Sequence, residues 1–363
     1  MRDIRISIAM TVIVLISIGI VMIYSSTSVY AQQLMGNSFY YLIRHLLFLS
    51  LGLILTFLAM TIDYRELRTL AKPLLLLGIF LLMLVLIPGI GKESNGARRW
   101  FQVGTFNFQP SEFVKIIMLI YVSDFLARKH NKIRDFKEGF LPLMLVLGMV
   151  CALIVKQPDL GNSVSIAVIL LVLMFVAGAR LKHLGVILLG AIPVVCYLII
   201  KAPYRLARIM AFLDPWEDSL GIGFQLTQSQ IALGSGGLFG VGLGRSIQKL
   251  FYLPAAHTDF ILSIIGEELG FLGTFTVVGL FVFLVWQGSK IAKRTTDDFG
   301  YFLSTGIVAM IGLQAVVNIG VSIGALPTKG LPLPFVSYGG SALISNMVAL
   351  GLLLNISRFQ ESA

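Results

Sequence analysis

Charge is what this 363-residue sequence has least of: Asp, Glu, Lys and Arg together make 13%, well below the roughly 25% typical of soluble domains. That scarcity excludes a surface made for water. Cysteine is nearly absent too, and Cys151 and Cys196 lie alone in separate apolar runs, which argues for small core residues rather than a disulfide or a metal pair. No His, Cys and Glu spacing suggests zinc, and no Gly-x-Ser-x-Gly elbow suggests a serine hydrolase. The glycines from Gly234 to Gly244 miss the G-x-G-x-x-G spacing and have no βαβ setting, so nucleotide binding is discarded. No sequence repeat is visible.

What is present is hydrophobic: 57% of residues, with a mean hydropathy of +0.89. Crossing a hydrocarbon core of about 30 Å takes about 20 helical residues. Apolar runs of about that length fall near 7–24, 45–62, 73–89, 110–126, 139–155, 162–178, 185–200, 259–287, 299–324 and 339–356. The fold expected is all-α, a polytopic membrane protein of about ten spans forming one transmembrane domain over 1–363, with no soluble domain left over. The first run follows Arg2 and Arg5 and resembles a signal peptide, with Val29-Tyr30-Ala31 as a weak cleavage site. A retained span is expected, because nine more follow.

Cytoplasmic loops keep Lys and Arg. With the N-terminus inside, the cytoplasmic set takes in Arg65, Arg68, Lys72, the cluster from Arg128 to Lys137, Arg180, Lys182, Lys290, Lys293, Arg294 and Arg358, and both termini are cytoplasmic. The net charge of +10 then needs no nucleic acid, since anionic headgroups favour that share. The other cations defy the bias: apart from Arg44, Lys115 and Lys329 they gather in the outward segments 90–109, 156–161 and 201–258. The segment 201–258, between spans seven and eight, is long enough to carry function. Within it, Gln225 to Leu253 is too polar to span and too apolar to float free, which fits a re-entrant or interfacial element.

Three stretches offer chemistry. The run 259–287 would extend about 43 Å as one helix, more than the bilayer requires, which sets Glu267 and Glu268 near the outer hydrocarbon boundary and Asp259 outside it. Carboxylates at that depth are either paired or functional, and both readings stay open for Glu267 and Glu268. Asp259 is open in the same way: a cap for exposed helix N–H groups, or a catalyst at the mouth of the span. In the second stretch, Asn95-Gly-Ala-Arg-Arg-Trp-Phe101, the guanidinium forks of Arg98 and Arg99 suit phosphate oxygens. Trp100 there is either an interfacial anchor or a sugar and lipid contact. Just beyond, Pro110 suits a helix start, and Glu112 and Lys115 at i, i+3 read as a neutralising pair.

The third stretch, Lys201 to Arg208, puts Arg205 and Arg208 on an outward amphipathic piece that would hold a pyrophosphate or sit among headgroups. Asp159, in Gln157-Pro-Asp-Leu-Gly161, reads most simply as a helix cap. Ser337, in Leu331-Pro-Leu-Pro-Phe-Val-Ser-Tyr-Gly-Gly-Ser341, sits in a break before the last span, near the outer boundary.

At these residues the sequence resembles the SEDS family (shape, elongation, division and sporulation), bacterial peptidoglycan polymerases that include FtsW, RodA and SpoVE. The matching stretches are Asn95–Trp100 with Gln109–Lys115, Gln157–Gly161, Pro203–Gln230, Gly234–Lys249 with Tyr252–Gly273, and Asn318–Ser341, nearly the full chain. Asp214-Pro-Trp and Gly236-Gly-Leu-Phe-Gly240 look more like the FtsW and SpoVE branch than the elongation branch. The chain departs from the family at Ala255, where an acidic residue is usual, and at Asn162, where Thr is usual.

The resemblance implies a peptidoglycan glycosyltransferase that polymerises lipid II at the outer face of the bacterial cytoplasmic membrane, in cell division or sporulation. It makes Asp259 the essential outward carboxylate, as general base or as the holder of a divalent cation such as Mg or Mn, and Trp100 functionally important. Arg98, Arg99, Trp100, Arg205, Arg208, Gln225, Lys249 and Ser337 become the candidate substrate-binding set, with Glu112, Lys115, Asp159, Glu267 and Glu268 in support. It also implies a class B penicillin-binding protein as transpeptidase partner, because the chain has no Ser-x-x-Lys transpeptidase domain of its own. The competing classes are a flippase for the lipid-linked precursor and a scaffold for division proteins. A flippase needs polar groups toward both faces, whereas the singled-out residues crowd the outer half.

Overall fold

The computed structural model describes residues 1–94, 96–104 and 106–359. Among them the chain forms twelve α-helices and one small antiparallel sheet. The helices are α1 (Arg2–Met35), α2 (Tyr40–Thr61), α3 (Leu67–Leu84), α4 (Pro110–Arg128), α5 (Leu141–Lys156), α6 (Leu160–Val176), α7 (Leu181–Ile200), α8 (Pro203–Leu213), α9 (Phe224–Ser235), α10 (Ile261–Arg294), α11 (Asp298–Ser322) and α12 (Gly340–Phe359). The strands β1 (Gly91–Ser94), β2 (Ala97–Val103) and β3 (Phe106–Phe108) pair in sequence order.

Ten of these helices fall on the ten apolar runs of the sequence. Eight are long and apolar enough to cross a membrane. The other two differ for physical reasons. α6 has only 17 residues, and α4 carries Glu112, Lys115, Asp124 and Arg128, too many charges for a lipid-facing helix. Those charges are compatible with α4 because it is interior: Glu112 and Lys115 pair at 2.8 Å with both side chains almost wholly buried. α12 and α11 are also core helices, whereas α7 is hardly buried by the rest of the chain. The chain is a multi-pass membrane protein.

Contacts between helix ends sort the molecule into two polar ends. At one, Asn355 accepts a hydrogen bond from the Tyr64 amide (3.1 Å) and donates to the carbonyls of Ala59, Met60 and Ile62, while Asp124 pairs with Arg68 and Arg128. At the other lie the sheet, α8, α9 and the turns around 236–260 and 327–339, so every candidate site residue falls in or near this end. The segment 201–258 is not one loop: α8 and α9 punctuate it.

The sequence reading made 259–287 one helix, but Gly270 breaks it with φ 69° and ψ −164°. The break would orphan backbone groups that lipid cannot satisfy, and the glycine run supplies the partners. Val241 and Gly242 donate to the carbonyls of Glu267 and Glu268 (2.9 and 3.1 Å), and the amides of Phe271 and Leu272 donate to Gly237 and Leu238 (2.8 and 3.2 Å). A Cβ on Gly240 would stand 2.2 Å from the Glu268 carbonyl oxygen, so this backbone contact admits no side chain. The glycines thus serve backbone pairing rather than phosphate binding.

Candidate functional site

Asp259 precedes α10 rather than starting it. The helix N-cap is Phe260, with no side-chain cap, so Asp259 does not do the capping that its position suggested. It is held by its backbone. Ala255, at φ 56°, turns the chain so that its carbonyl meets the amides of Thr258 and Asp259 (3.0 and 3.1 Å), and Asn318 of α11 donates to the Asp259 carbonyl at 2.9 Å. The family departure at Ala255 therefore falls on the residue whose conformation places Asp259. Among the described residues, no group donates a hydrogen bond to the Asp259 carboxylate. Burial pushes that carboxyl up to about 6, against the pull of the nearby Arg208 guanidinium. The residue keeps a minor part of its surface exposed, so surrounding protein, rather than complete enclosure, is the cause.

Beside it lies a cavity of about 300 Å³, lined by the sequence-flagged Arg99, Asp159, Arg205 and Arg208, and by Tyr204 and Lys329. Its apolar wall comes from Val164, Val195, Ile199, Ile209 and Pro327. Arg99 reaches it from β2, its Nε donating to the Gln157 carbonyl (2.9 Å) and its Nη2 to the Pro158 carbonyl. Arg205 donates to the Leu198 carbonyl and the Tyr204 hydroxyl, both at 2.8 Å. Among the described residues, none of Arg99, Arg205, Arg208 and Lys329 forms an ion pair. Four cations therefore face one lining acid, and that acid is occupied. Asp159 caps α6 through the Asn162 amide (3.2 Å) and accepts from the side chains of Gln109 (3.0 Å) and Asn162 (2.9 Å). The unusual Asn162 thus stays in the motif as a donor to Asp159.

Sequence reasoning missed two members. Lys329 stood out only as a cation outside the charged clusters, and Tyr204 had no signal beyond lying between two basic residues. The segment 327–330 joins the cavity to the carboxylate: a Cβ on Gly161 would meet the Lys329 carbonyl at 2.9 Å, and one on Gly330 would lie 3.6 Å from Asp259 Oδ2. Burial lowers the Lys329 ammonium, as expected for a cation without a counter-ion.

Other flagged residues have different surroundings. Arg98 pairs at 3.0 Å with Glu93 across β1 and β2, on an exposed face. Alternation along β2 sends Trp100 to the same side as Arg98 and away from Arg99; neither lines the cavity. The preceding Asn95 lies outside the described residues. Ser337 accepts from the Leu333 amide (2.9 Å) and so closes its own turn. Gln225 is half-buried in the first turn of α9, away from the cavity lining.

Lys249 is engaged by protein: its ammonium is buried against Glu268 Oε1 at 2.7 Å and the Ser25 hydroxyl at 3.0 Å. Glu267 accepts from the Ser246 hydroxyl and the Ile247 amide (2.9 Å). Ser246 and Lys249 have Ser-x-x-Lys spacing, but each engages a different glutamate, so they do not form a nucleophile and base. Of the two readings left open for Glu267 and Glu268, the contacts match pairing.

A divalent cation held by the protein would need several donors. Among the described residues no three His, Cys, Asp or Glu side chains gather to hold one, and the charge facing Asp259 is the Arg208 guanidinium. The donor set does not fit a resident metal.

The FtsW/RodA/SpoVE family model, described as a cell cycle protein, matches residues 5–362. The chain is 48% identical over 346 residues to a probable peptidoglycan glycosyltransferase FtsW of Trichlorobacter lovleyi, covering 95% of this chain and 91% of that one. It is 45% identical over 351 residues to stage V sporulation protein E of Bacillus subtilis, covering 96% and 95%. Among solved structures it resembles a chain from a peptidoglycan synthase complex that coordinates polymerization and crosslinking (TM-score 0.79, 30% identity, 98% of each chain). It also resembles the rod shape determining protein RodA of Thermus thermophilus (TM-score 0.72, 30% identity, 97% and 96%). The unpaired carboxylate, the cationic cavity and the helical frame thus sit in a chain that belongs to the FtsW/RodA/SpoVE family.

Proposed function

We propose that the chain is a peptidoglycan glycosyltransferase that joins lipid II to a growing glycan at the outer membrane interface, with Asp259 as general base. One observation carries this reading: a carboxylate without a hydrogen-bond donor lies beside a cavity whose four cations form no ion pair among the described residues. A pyrophosphate with an isoprenoid tail is the substrate chemistry that such a cavity suits, since it needs cations for the head and an apolar wall for the first tail units.

The acceptor 4-hydroxyl oxygen attacks C1 of the donor muramyl sugar, forming the new glycosidic bond with inversion. The bond from C1 to the phosphate oxygen breaks, and its electron pair leaves on undecaprenyl pyrophosphate. Asp259 takes the hydroxyl proton and passes it to water. A base poised near 6 is ionised at neutral pH yet basic enough to accept that proton. Arg99, Arg205, Arg208 and Lys329 stabilise the charge that develops on the leaving group, as preorganised cations in a water-poor site do.

The bias of Lys and Arg toward the opposite end of the bundle supports an outward-facing site. The product strands need cross-linking elsewhere, which a class B penicillin-binding protein would supply. The test is lipid II polymerisation by the purified chain, alone and with that partner, for the parent and for Asp259→Ala with its fold verified. The parent makes glycan and the variant makes none; undiminished synthesis by the variant would remove Asp259 from the mechanism. Transfer of lipid II across vesicles without any polymer would instead support a flippase.

A further inference from the structure

Lys329 reaches the cavity from a segment that the fold holds by very little. The chain leaves α11 after Ser322, turns at Gly324 with φ 77°, and runs without regular structure toward the turn before α12. Among the described residues, the stretch 327–331 makes one hydrogen bond: the Leu331 carbonyl accepts from Asn318 Nδ2 at 2.9 Å. The same nitrogen donates to the Asp259 carbonyl, also at 2.9 Å. Among the described residues neither carbonyl has another donor. Asn318 lies near the end of α11 and is 1% exposed.

We infer that Asn318 is a positioning residue: it fixes the segment carrying the base Asp259 and the segment carrying the cation Lys329 relative to one another. The inference rests on the polymerase reading above, and three observations support it. First, the chemistry of the amide fits the task, because its one nitrogen carries two N–H donors, where Ser or Thr would supply one and an ionised Asp none. Both donors meet carbonyls, which fixes the orientation of the amide and leaves its buried Oδ1 without a protein partner. Second, the anchor is one of the core helices, whereas both of the segments it holds are irregular. Third, the two segments meet where the clamp acts: Gly330, between Lys329 and Leu331, has φ 69°, and a Cβ there would lie 3.6 Å from Asp259 Oδ2. Transfer needs the base on the attacking hydroxyl while the cation meets the departing pyrophosphate. A misplacement of about 1 Å between such groups can cost about 10²-fold in rate.

Asn318→Leu removes both donors at similar volume, and Asn318→Ala leaves room for water to reach the two carbonyls. Lipid II polymerisation is measured on the full-length chain with its partner, for the variants that keep cooperative thermal unfolding. The expected result is a kcat lower by about 10²-fold and a donor KM higher by about fivefold, as weakened support of one cation would give. Two further backgrounds separate positioning from packing. Added to Asp259→Asn, Asn318→Ala lowers kcat by less than about twofold more, and added to Lys329→Met it raises donor KM by less than about twofold more, because the group it positions is already gone. A merely structural loss multiplies through both backgrounds alike. That result overturns the assignment, as do unchanged kinetics in the single variants or failure of both to fold. Calorimetry with undecaprenyl pyrophosphate reads the Lys329 arm without turnover: Asn318→Ala weakens binding about fivefold in the parent and not in Lys329→Met. Equal binding, or none to the parent, overturns it. A parent that shows this binding pattern but polymerises nothing would keep Asn318 as the support of Lys329 and discard the polymerase reading.

Discussion

Asp259 and the Glu267–Glu268 pair are eight and nine residues apart in sequence at the same end of the bundle, yet their surroundings are opposite. Glu268 is fully enclosed and receives Lys249 and Ser25, and Glu267 receives Ser246 and two amides. Their charge is fully answered by protein. Asp259 is half-buried, receives no hydrogen bond on its carboxylate, and is pushed up to about 6. Buried acids with complete partners hold structure; a partly desolvated acid without partners is held ready for a proton.

The strongest way to break this contrast is to remove the proton acceptor while keeping its shape. Asp259→Asn should lower lipid II polymerisation by about 10²–10⁴-fold with the fold intact, and the parent's rate should climb with pH through about 6 as the carboxyl ionises. Steady-state rates from pH 5 to 8 check both. A parent rate that stays flat across this range would deny Asp259 the role of base.

Glu268 should respond in the opposite way. Leaving the Lys249 ammonium buried without its partner costs about 3–5 kcal/mol, so Glu268→Ala should unfold at markedly lower temperature. Glu268→Gln with Lys249→Met should recover much of the loss, because no charge is then stranded. Activity per folded molecule should stay near the parent's in the double variant. A large loss of activity at unchanged stability would move Glu268 into the chemistry and erase the contrast.

The contrast between these acids was only half legible in sequence. The apolar runs exposed the bundle because about 20 residues without charge have few other uses, and cations that defied the positive-inside bias marked the polar end. Partners were not legible, because they are distant: Ser25 meets Glu268 across 243 positions, and the break at Gly270 is visible only once the glycine run is seen to mend it. The sheet left little local signal, because its strands are only four, seven and three residues long. Lys329 is a single cation in an apolar stretch, and only the fold brings its segment beside Gly161 and Asp259.

The same logic of answered and unanswered charge ranks the cations. Lys329→Met and Arg205→Ala, whose cations have no acidic partner, should each weaken donor use about tenfold in KM, since one charge-assisted hydrogen bond is worth about 1.5–3 kcal/mol. Arg98→Ala should change donor KM less than about twofold, because its surface pair with Glu93 is worth at most about 1 kcal/mol and lies away from the cavity. Equal effects from all three would mean that the whole basic end attracts the substrate and no cavity selects it.

The smallest effect tests the cost of keeping Asp259 ready. A carboxyl raised from 3.8 to about 6 on folding binds its proton more tightly in the folded chain than in the unfolded one. The contribution to stability is therefore fully present below about pH 4 and is lost as pH rises through about 6. Asp259→Asn has no proton to lose, so its thermal midpoint relative to the parent's should rise between pH 4 and 7, modestly because the residue is not wholly enclosed. Removing the functional acid would then stabilise the protein under the conditions in which removing Glu268 destabilises it. Parallel stability curves for parent and variant would mean that Asp259 is no more desolvated than an ordinary surface carboxylate, and the distinction between the two acidic regions would rest on hydrogen bonding alone.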